Sequence, residues 1–294
     1  MNKLVASLFS LALVAGVGVT TMVVAQDHAA APADGEHAEG ATPHYPIKHP
    51  KQEEWSFAGP FGHYDKGQLQ RGLKVYKEVC SACHSMNLVS FRTLEGLGYS
   101  EAQVKAFAAE YEVQDGPNDS GEMFTRKAVP SDHFPSPYPN AQAAAAANNG
   151  AAPPDMSLLA KARGITRGFP QFIFDMFTQY QEGGPDYIHS LITGYEQPPA
   201  GFQVPEGGHY NPYFANAASL AMAQPISNDQ VTYEDGSPQT VDQYARDVSA
   251  FLMWTAEPHL EERKRTGFMV MVFLLIFTGL IYLTKKSVYA NKEH

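Results

Sequence analysis

The chain has 294 residues, 44% of them hydrophobic, with 21 Lys+Arg against 31 Asp+Glu for a formal net charge of −10, and it carries only two cysteines. That length can bury one sizeable core or two small ones. The acidic balance argues against nucleic acid as a partner, and two cysteines exclude a disulfide framework.

The N-terminus has one early cation, Lys3, then an uncharged stretch from Leu4 to Ala25 with Val23 and Ala25 at the small-residue positions of a cleavage site. Residues 1–25 are therefore expected to be a secretory signal peptide. Arg is absent before the apolar run, which favours bacterial export over a mitochondrial transit peptide. Residues 26–54 are rich in Ala, Pro, Gly and His without apolar periodicity and read as a flexible leader. Its irregularly spaced histidines, His28, His37, His44 and His49, make a poor metal site.

The body, residues 55–260, reads as mostly helical with long loops. In "DKGQLQRGLKVYKEVCSACH", Asp65 and Gln68 stand as a capping pair and Leu69, Leu73, Tyr76, Cys80 and Cys83 share one face. "SEAQVKAFAAEY" begins at the cap Ser100, with Val104, Phe107 and Tyr111 as its stripe. Residues 134–154 form a long loop with a helical turn in its alanines. "TVDQYARDVSAFLMWTAEP" has Thr240 and Gln243 as its capping pair and Tyr244, Val248, Phe251 and Thr255 on one face. Pro258 then breaks the helix, and a new one starts there. Period-2 alternation is scarce, and no repeat recurs.

That last helix holds an uncharged stretch from Gly267 to Leu283, long enough to cross about 30 Å of hydrocarbon. Residues 261–284 are expected to be a transmembrane anchor and 285–294 a cytoplasmic tail. Cations flank both ends, Arg263, Lys264 and Arg265 before the span and Lys285 and Lys286 after it, so the positive-inside count leaves orientation open. The signal peptide places the body outside. Residues 26–260 carry 28 Asp+Glu against 14 Lys+Arg, an acidic surface suited to steering a basic partner.

The chemistry-bearing motif is "KEVCSACHSM". In an exported protein a cysteine pair is usually a structural disulfide, but cysteines three apart close too small a ring to staple much. A redox dithiol usually follows a strand, and no strand is expected here. Two thiols followed at once by a histidine match what covalent haem c attachment needs: thioethers from Cys80 and Cys83, and an imidazole, His84, under the iron. The motif occurs once, so one haem is expected.

The second axial ligand separates electron transfer from ligand chemistry, because a thioether there stabilises ferrous iron and blocks small ligands. Met86 is too close to His84 to reach the opposite face. Met253 and Met176 sit in apolar helical runs that suggest packing, and Met123 is in a polar loop. Met156, in "PPDMSLL", and Met222, ahead of Pro225 in a segment short of helix signals, remain; the latter suits a loop laid over a haem face.

The motifs "RGLKVYKEVCSACHSM", "NNGAAPPDMS", "GGPDYIHSLITGY", "NPYF", "AMAQPI" and "YEDGSPQTVDQYARDVSAFLMWTAEP", in this order before "RKRTGF" and a C-terminal anchor, resemble cytochrome c1, the haem subunit of the cytochrome bc1 complex, from Trp55 to Tyr289. The resemblance implies a mainly α, class I cytochrome c-like haem domain with one C-terminal transmembrane helix. It implies one haem c on Cys80 and Cys83, with His84 and Met222 as axial ligands, Arg163 at a haem propionate, Tyr187 nearby, and Asn148, Pro153 and Pro154 in the haem wall. It further implies a subunit of quinol:cytochrome c oxidoreductase that takes electrons from the Rieske iron-sulfur protein and passes them to a soluble or anchored cytochrome c. Cytochrome b and membrane lipid would be its neighbours in a dimeric complex of the bacterial inner membrane, with the haem domain in the periplasm. A free-standing anchored carrier, an oxidase's cytochrome subunit, or a haem enzyme or gas sensor with an open sixth site are the rival readings. Two departures stand out. The extra cysteine pair that braces the sixth-ligand region in some bacterial relatives is missing, so other packing must hold the Met222 loop. Residues 164–182, rich in aromatics, lengthen the stretch between Arg163 and "GGPDY" and suggest a packed helix or a partner contact.

Overall fold

The computed structural model describes residues 48–165 and 167–290; the signal peptide, most of the leader and the last four residues of the tail lie outside them. Helix α1 (Lys66–Glu78) opens where the Asp65 carboxylate accepts from the Gln68 amide at 3.1 Å, and buries Leu69, Gly72, Leu73, Val75 and Tyr76. Helix α2 (Glu101–Ala108) starts in a full capping box between Ser100 and Gln103. Two short strands, β1 (Glu112–Asp115) and β2 (Phe124–Lys127), pair antiparallel and carry the chain to α3 (Ala141–Ala147) and α4 (Leu159–Ala162). Helices α5 (Gln171–Thr178) and α6 (Gly183–Thr193) follow. The two-residue strands β3 (His209–Tyr210) and β4 (Ser219–Leu220) pair antiparallel, and α7 (Val241–Ala256) and α8 (Leu260–Tyr289) complete the chain.

The core forms where α1 crosses α7. Gly72 makes the crossing possible: a Cβ there would fall on the Asp247 carbonyl oxygen and the Phe251 side chain, inside van der Waals distance. Tyr244, Val248, Phe251 and Leu252 of α7 are buried, and α7 packs on both α1 and α6. The Tyr76 ring meets Phe134 edge-on at 5.8 Å and Phe251 at 6.0 Å. The fully buried Asp247 carboxylate is held by the Arg71 guanidinium at 2.9 Å and by the Gln243 amide at 2.9 Å.

A second contact joins α6 to α4 and α7. The paired glycines of "GGPDY" account for it: a Cβ on Gly184 would overlap the Ala160 carbonyl, and one on Gly183 would lie 2.8 Å from the Ile165 carbonyl oxygen. Residues 48–54 lie along α6, although they were expected in a flexible leader. The Lys51 amide donates to Ser190 Oγ at 2.8 Å, and the Glu53 amide and Trp55 Nε1 both donate to Asp186 Oδ1, at 3.0 and 2.8 Å. Composition hid this, because the partners sit more than 130 residues away.

Three expectations change in detail. The first helix stops at Glu78, so Cys80 and Cys83 lie beyond it, with a 3₁₀ turn over Cys80–Ala82. β-Branched Val79, at φ −121° and ψ −60°, ends the helical ladder. Met176, expected to pack, is 75% exposed on α5, which buries none of its residues. The last helix outruns the expected 261–284 span at both ends, from Leu260 to Tyr289, and its apolar stretch is exposed throughout. Among the described residues it is the one helix long and apolar enough to cross a membrane.

Candidate haem-binding crevice

The turn after α1 bends the chain so tightly that the Cys83 and His84 amides both donate to the Cys80 carbonyl, at 3.1 and 2.9 Å. Cys80 is buried and Cys83 half-buried, and both are free thiols. Burial, reinforced by the neighbouring Cys83, pushes the Cys80 thiol up to about 12, the reverse of what a reactive redox dithiol requires. The Tyr76 hydroxyl donates to the His84 carbonyl at 3.2 Å, tying the turn back to the α1 face that enters the core.

The residues after His84 are strapped to "PPDMS". His84 Nδ1 lies 2.9 Å from the Pro154 carbonyl oxygen, so Nδ1 carries the proton in the neutral ring. Nε2 has no hydrogen-bond partner among the described residues, which leaves its lone pair available to a metal. Burial holds the imidazole below its usual range, against Pro154 and Asp155, which both favour the cation. Asp155 is the clasp. Its Oδ2 accepts from Ser85 Oγ and the Asn87 amide, each at 2.8 Å, and its Oδ1 from the Ser157 amide at 2.9 Å. Burial would raise its pKa, but these donors outweigh it and hold the carboxyl below the ordinary range. Ser157 Oγ accepts from the Leu88 amide at 3.0 Å, and the Met156 amide donates to the Ser85 carbonyl at 2.8 Å. Met156 itself is buried.

A cleft of ≈ 290 Å³ opens beside Cys83, lined by Ser85, Asn87, Tyr138, Ala144 and Pro153 among others. A larger hollow of ≈ 570 Å³, between Arg71, Lys74, Tyr99 and Tyr233, contains none of the predicted site residues and bears on no haem chemistry. Asn148 caps the end of α3, its Nδ2 donating to the Ala144 carbonyl at 2.7 Å and to the Tyr138 hydroxyl at 3.2 Å. Pro154 is exposed beyond its carbonyl contact.

Met222 sits two residues past β4 and is half-buried. Its carbonyl accepts from the Tyr195 hydroxyl at 3.0 Å, just past the end of α6, and the β3–β4 pairing fixes the chain before it. These contacts hold the Met222 loop without a disulfide. Tyr187 is buried on α6, and its hydroxyl accepts from the Ala215 amide at 3.4 Å in the loop between β3 and β4. Arg163 caps α4 through its backbone, while its guanidinium has no partner among the described residues. Sequence reasoning missed Asp155, Ser157 and Tyr195, although all three stand in or beside the quoted motifs.

The residues present thus fit a covalently held haem: two free thiols and, directly after them in the same turn, an imidazole with its far nitrogen open. Residues 55–292 match the Cytochrome C1 family. The chain belongs to the cytochrome c1 family. It is 47% identical over 261 residues to cytochrome c1 of Blastochloris viridis, covering 87% of this chain and 90% of that one. It is 44% identical over 259 residues to cytochrome c1 of Rhodospirillum rubrum, covering 83% and 88%. A protein named cytochrome b/c1 from Bradyrhizobium diazoefficiens is 60% identical over 248 residues; these make up 83% of this chain but 36% of that protein. As a family member the chain is a membrane-anchored, c-type electron-carrier subunit of the bc1 complex.

Proposed function

We propose that this chain receives single electrons from the Rieske iron-sulfur protein on a haem c bound through Cys80 and Cys83, and delivers them to a soluble or anchored cytochrome c. The observation that carries the reading is the His84–Pro154 contact, which orients the imidazole and leaves Nε2 for iron. When bound, the haem supplies the one-electron couple, and the protein makes or breaks no substrate bond.

The chain's own residues do the rest. His84 would hold the haem iron through Nε2, with Pro154 and Asp155 keeping its ring from turning. Met222 would be the second protein ligand to the iron: it is presented by a separate loop braced from Tyr195, whereas the Met156 amide is tied to Ser85, next to His84. Arg163, whose guanidinium has no partner among the described residues, would answer a propionate charge. Tyr187 fixes the loop that leads to Met222, Pro153 lines the cleft beside Cys83, and Asn148 backs that cleft by donating to Tyr138 and Ala144 of its lining. Cytochrome b is the neighbour in the membrane, a reading supported by the relative whose name joins cytochrome b and c1. We place the haem domain in the periplasm of a bacterial inner membrane, the tail in the cytoplasm, and the whole in a dimeric complex. Lys264 supports that orientation: it donates to the Phe57 carbonyl at 2.6 Å, so a cation on the body side of the span serves the fold rather than topology.

The test is the optical spectrum of the purified anchored protein, oxidised and then reduced with and without carbon monoxide, beside Met222→Leu. A low-spin haem c with a methionine-to-iron charge-transfer band, indifferent to carbon monoxide, is expected. The variant should lose the band and bind the gas. Carbon monoxide binding to the wild type, or an unchanged variant, overturns the Met222 assignment.

A further inference from the structure

Helix α5 exposes almost everything it carries. Phe169 and Phe174 flanking and within it are 79% and 63% exposed, and Met176 and Phe177 are 75% and 82% exposed. Such a run of aromatic surface marks a site that something else covers. Its one charged residue, Asp175, is held bidentate by Arg167, whose guanidinium also stacks 3.9 Å above the Tyr180 ring. Residues 168–178 therefore present a neutralised surface rather than a solvated one.

The neighbourhood indicates what covers it. Gln181, three residues past the end of α5, accepts from Arg263 at 3.1 Å and from Lys161 at 3.0 Å. Three residues reach at most about 10 Å. Arg263 stands only four residues, about 6 Å of helical rise, before the apolar stretch of α8 begins at Gly267. At the same level Phe61, itself 75% exposed, meets Phe268 of α8 edge-on at 5.7 Å. The apolar surface of α5 thus lies next to the point where the anchor enters hydrocarbon.

We propose that α5 is an interfacial helix that rests on the lipid headgroups at the foot of the anchor, with Phe172, Met176 and Phe177 dipping into the upper acyl region. The inference rests on α8 crossing the bilayer and is independent of the haem ligands. Helices of this kind bury an apolar face about 5–10 Å into the boundary of headgroups and chains. The phenyl rings suit that depth, and the Arg167–Asp175 pair removes the one charge that would oppose it.

The test uses the full haem-loaded chain in phosphatidylcholine vesicles whose acyl chains are brominated either near the headgroup or near the bilayer centre. Tryptophan fluorescence reports contact, since the native Trp55 and Trp254 are both buried. Phe177→Trp should lose most of its added emission to the shallow bromines and less to the deep ones. Phe273→Trp, within α8, should be quenched by the deep ones, and Ser120→Trp, in an exposed loop, by neither. The same pattern should persist in the assembled complex, and Phe172→Trp repeats the reading should the first variant fail to load haem. Phe177→Trp unquenched while Phe273→Trp is quenched overturns the proposal. Quenching that vanishes on assembly also overturns it, because a protein partner then covers α5. Loss of quenching at both positions refutes the anchor and the proposal together, whatever the haem spectrum shows.

Discussion

His84 and Pro154 are 70 residues apart in sequence, yet the imidazole Nδ1 sits 2.9 Å from the proline carbonyl oxygen. Neither residue could hold that distance by itself, and Asp155 makes it by gathering Ser85, Asn87 and Ser157 around one carboxylate. Asp155→Ala strips acceptors from two backbone amides and a hydroxyl. We expect a loss of about 2 kcal/mol in denaturant unfolding, together with carbon monoxide binding by the reduced protein as the His84 turn loosens.

The Arg71–Asp247 pair should be far less tolerant of change than an exposed one. Asp247 is wholly buried at the α1–α7 crossing, so Arg71→Met leaves its carboxylate buried without a compensating cation, with only neutral donors such as the Gln243 amide beside it. A destabilisation of about 3–5 kcal/mol is expected. Asp235, the exposed partner of the same arginine, should cost under about 1 kcal/mol when replaced by Asn.

Gly184→Ala places a methyl group on the Ala160 carbonyl and forces α6 away from α4. We expect a loss of about 3 kcal/mol, the upper range for overpacking, and a displaced Met222 loop through Tyr187 and Tyr195. Gly279→Ala, with open space around it, should leave thermal stability and spectrum unchanged.

Asp186 supplies a pH-dependent prediction. Burial pushes its carboxyl above the ordinary range, with Glu53 adding to the rise, even though Tyr180, Trp55 and the Glu53 amide all donate to it. A raised folded pKa means that the stability it contributes is complete below the unfolded value, near 3.9, and is lost as pH rises through the folded one. The stability difference between wild type and Asp186→Asn should therefore shift against the wild type as pH climbs from about 4. A difference that is flat, or moves the other way, contradicts the assignment.

The acidic body, 28 Asp+Glu against 14 Lys+Arg over residues 26–260, should attract a basic acceptor over distances comparable to the Debye length of about 10 Å at 0.1 M salt. Its reduction rate should fall as salt is added. A salt-independent rate would place docking on apolar contacts instead.

The parts of this molecule that were legible in its sequence are those written in local chemistry. The caps at Ser100 and Thr240, the break at Pro258, the single Cys-Ser-Ala-Cys-His motif and the apolar anchor each depend on residues within one or two turns. The strap from Asp155 to Ser85 and the seam from Glu53 to Asp186 were not legible, because a hydrogen bond across 70 or 130 residues leaves no periodic trace. The end of α1 before Cys80 escaped notice for the opposite reason: the apolar spacing continues through the turn although the helix does not. Helix α5 misled because aromatic periodicity reports that a face wants cover without saying what supplies it.

Between α7 and α8 the chain has only Glu257, Pro258 and His259, and Glu257 is gripped on every side. Its carboxylate binds Lys161 and Arg263, and its carbonyl accepts from Tyr64, whose own amide donates to Glu261. A joint locked in this way is a bracket rather than a hinge. It fixes the angle at which the helical body meets the apolar α8, so a change at this one joint would be felt across the whole body as a lever rather than absorbed locally.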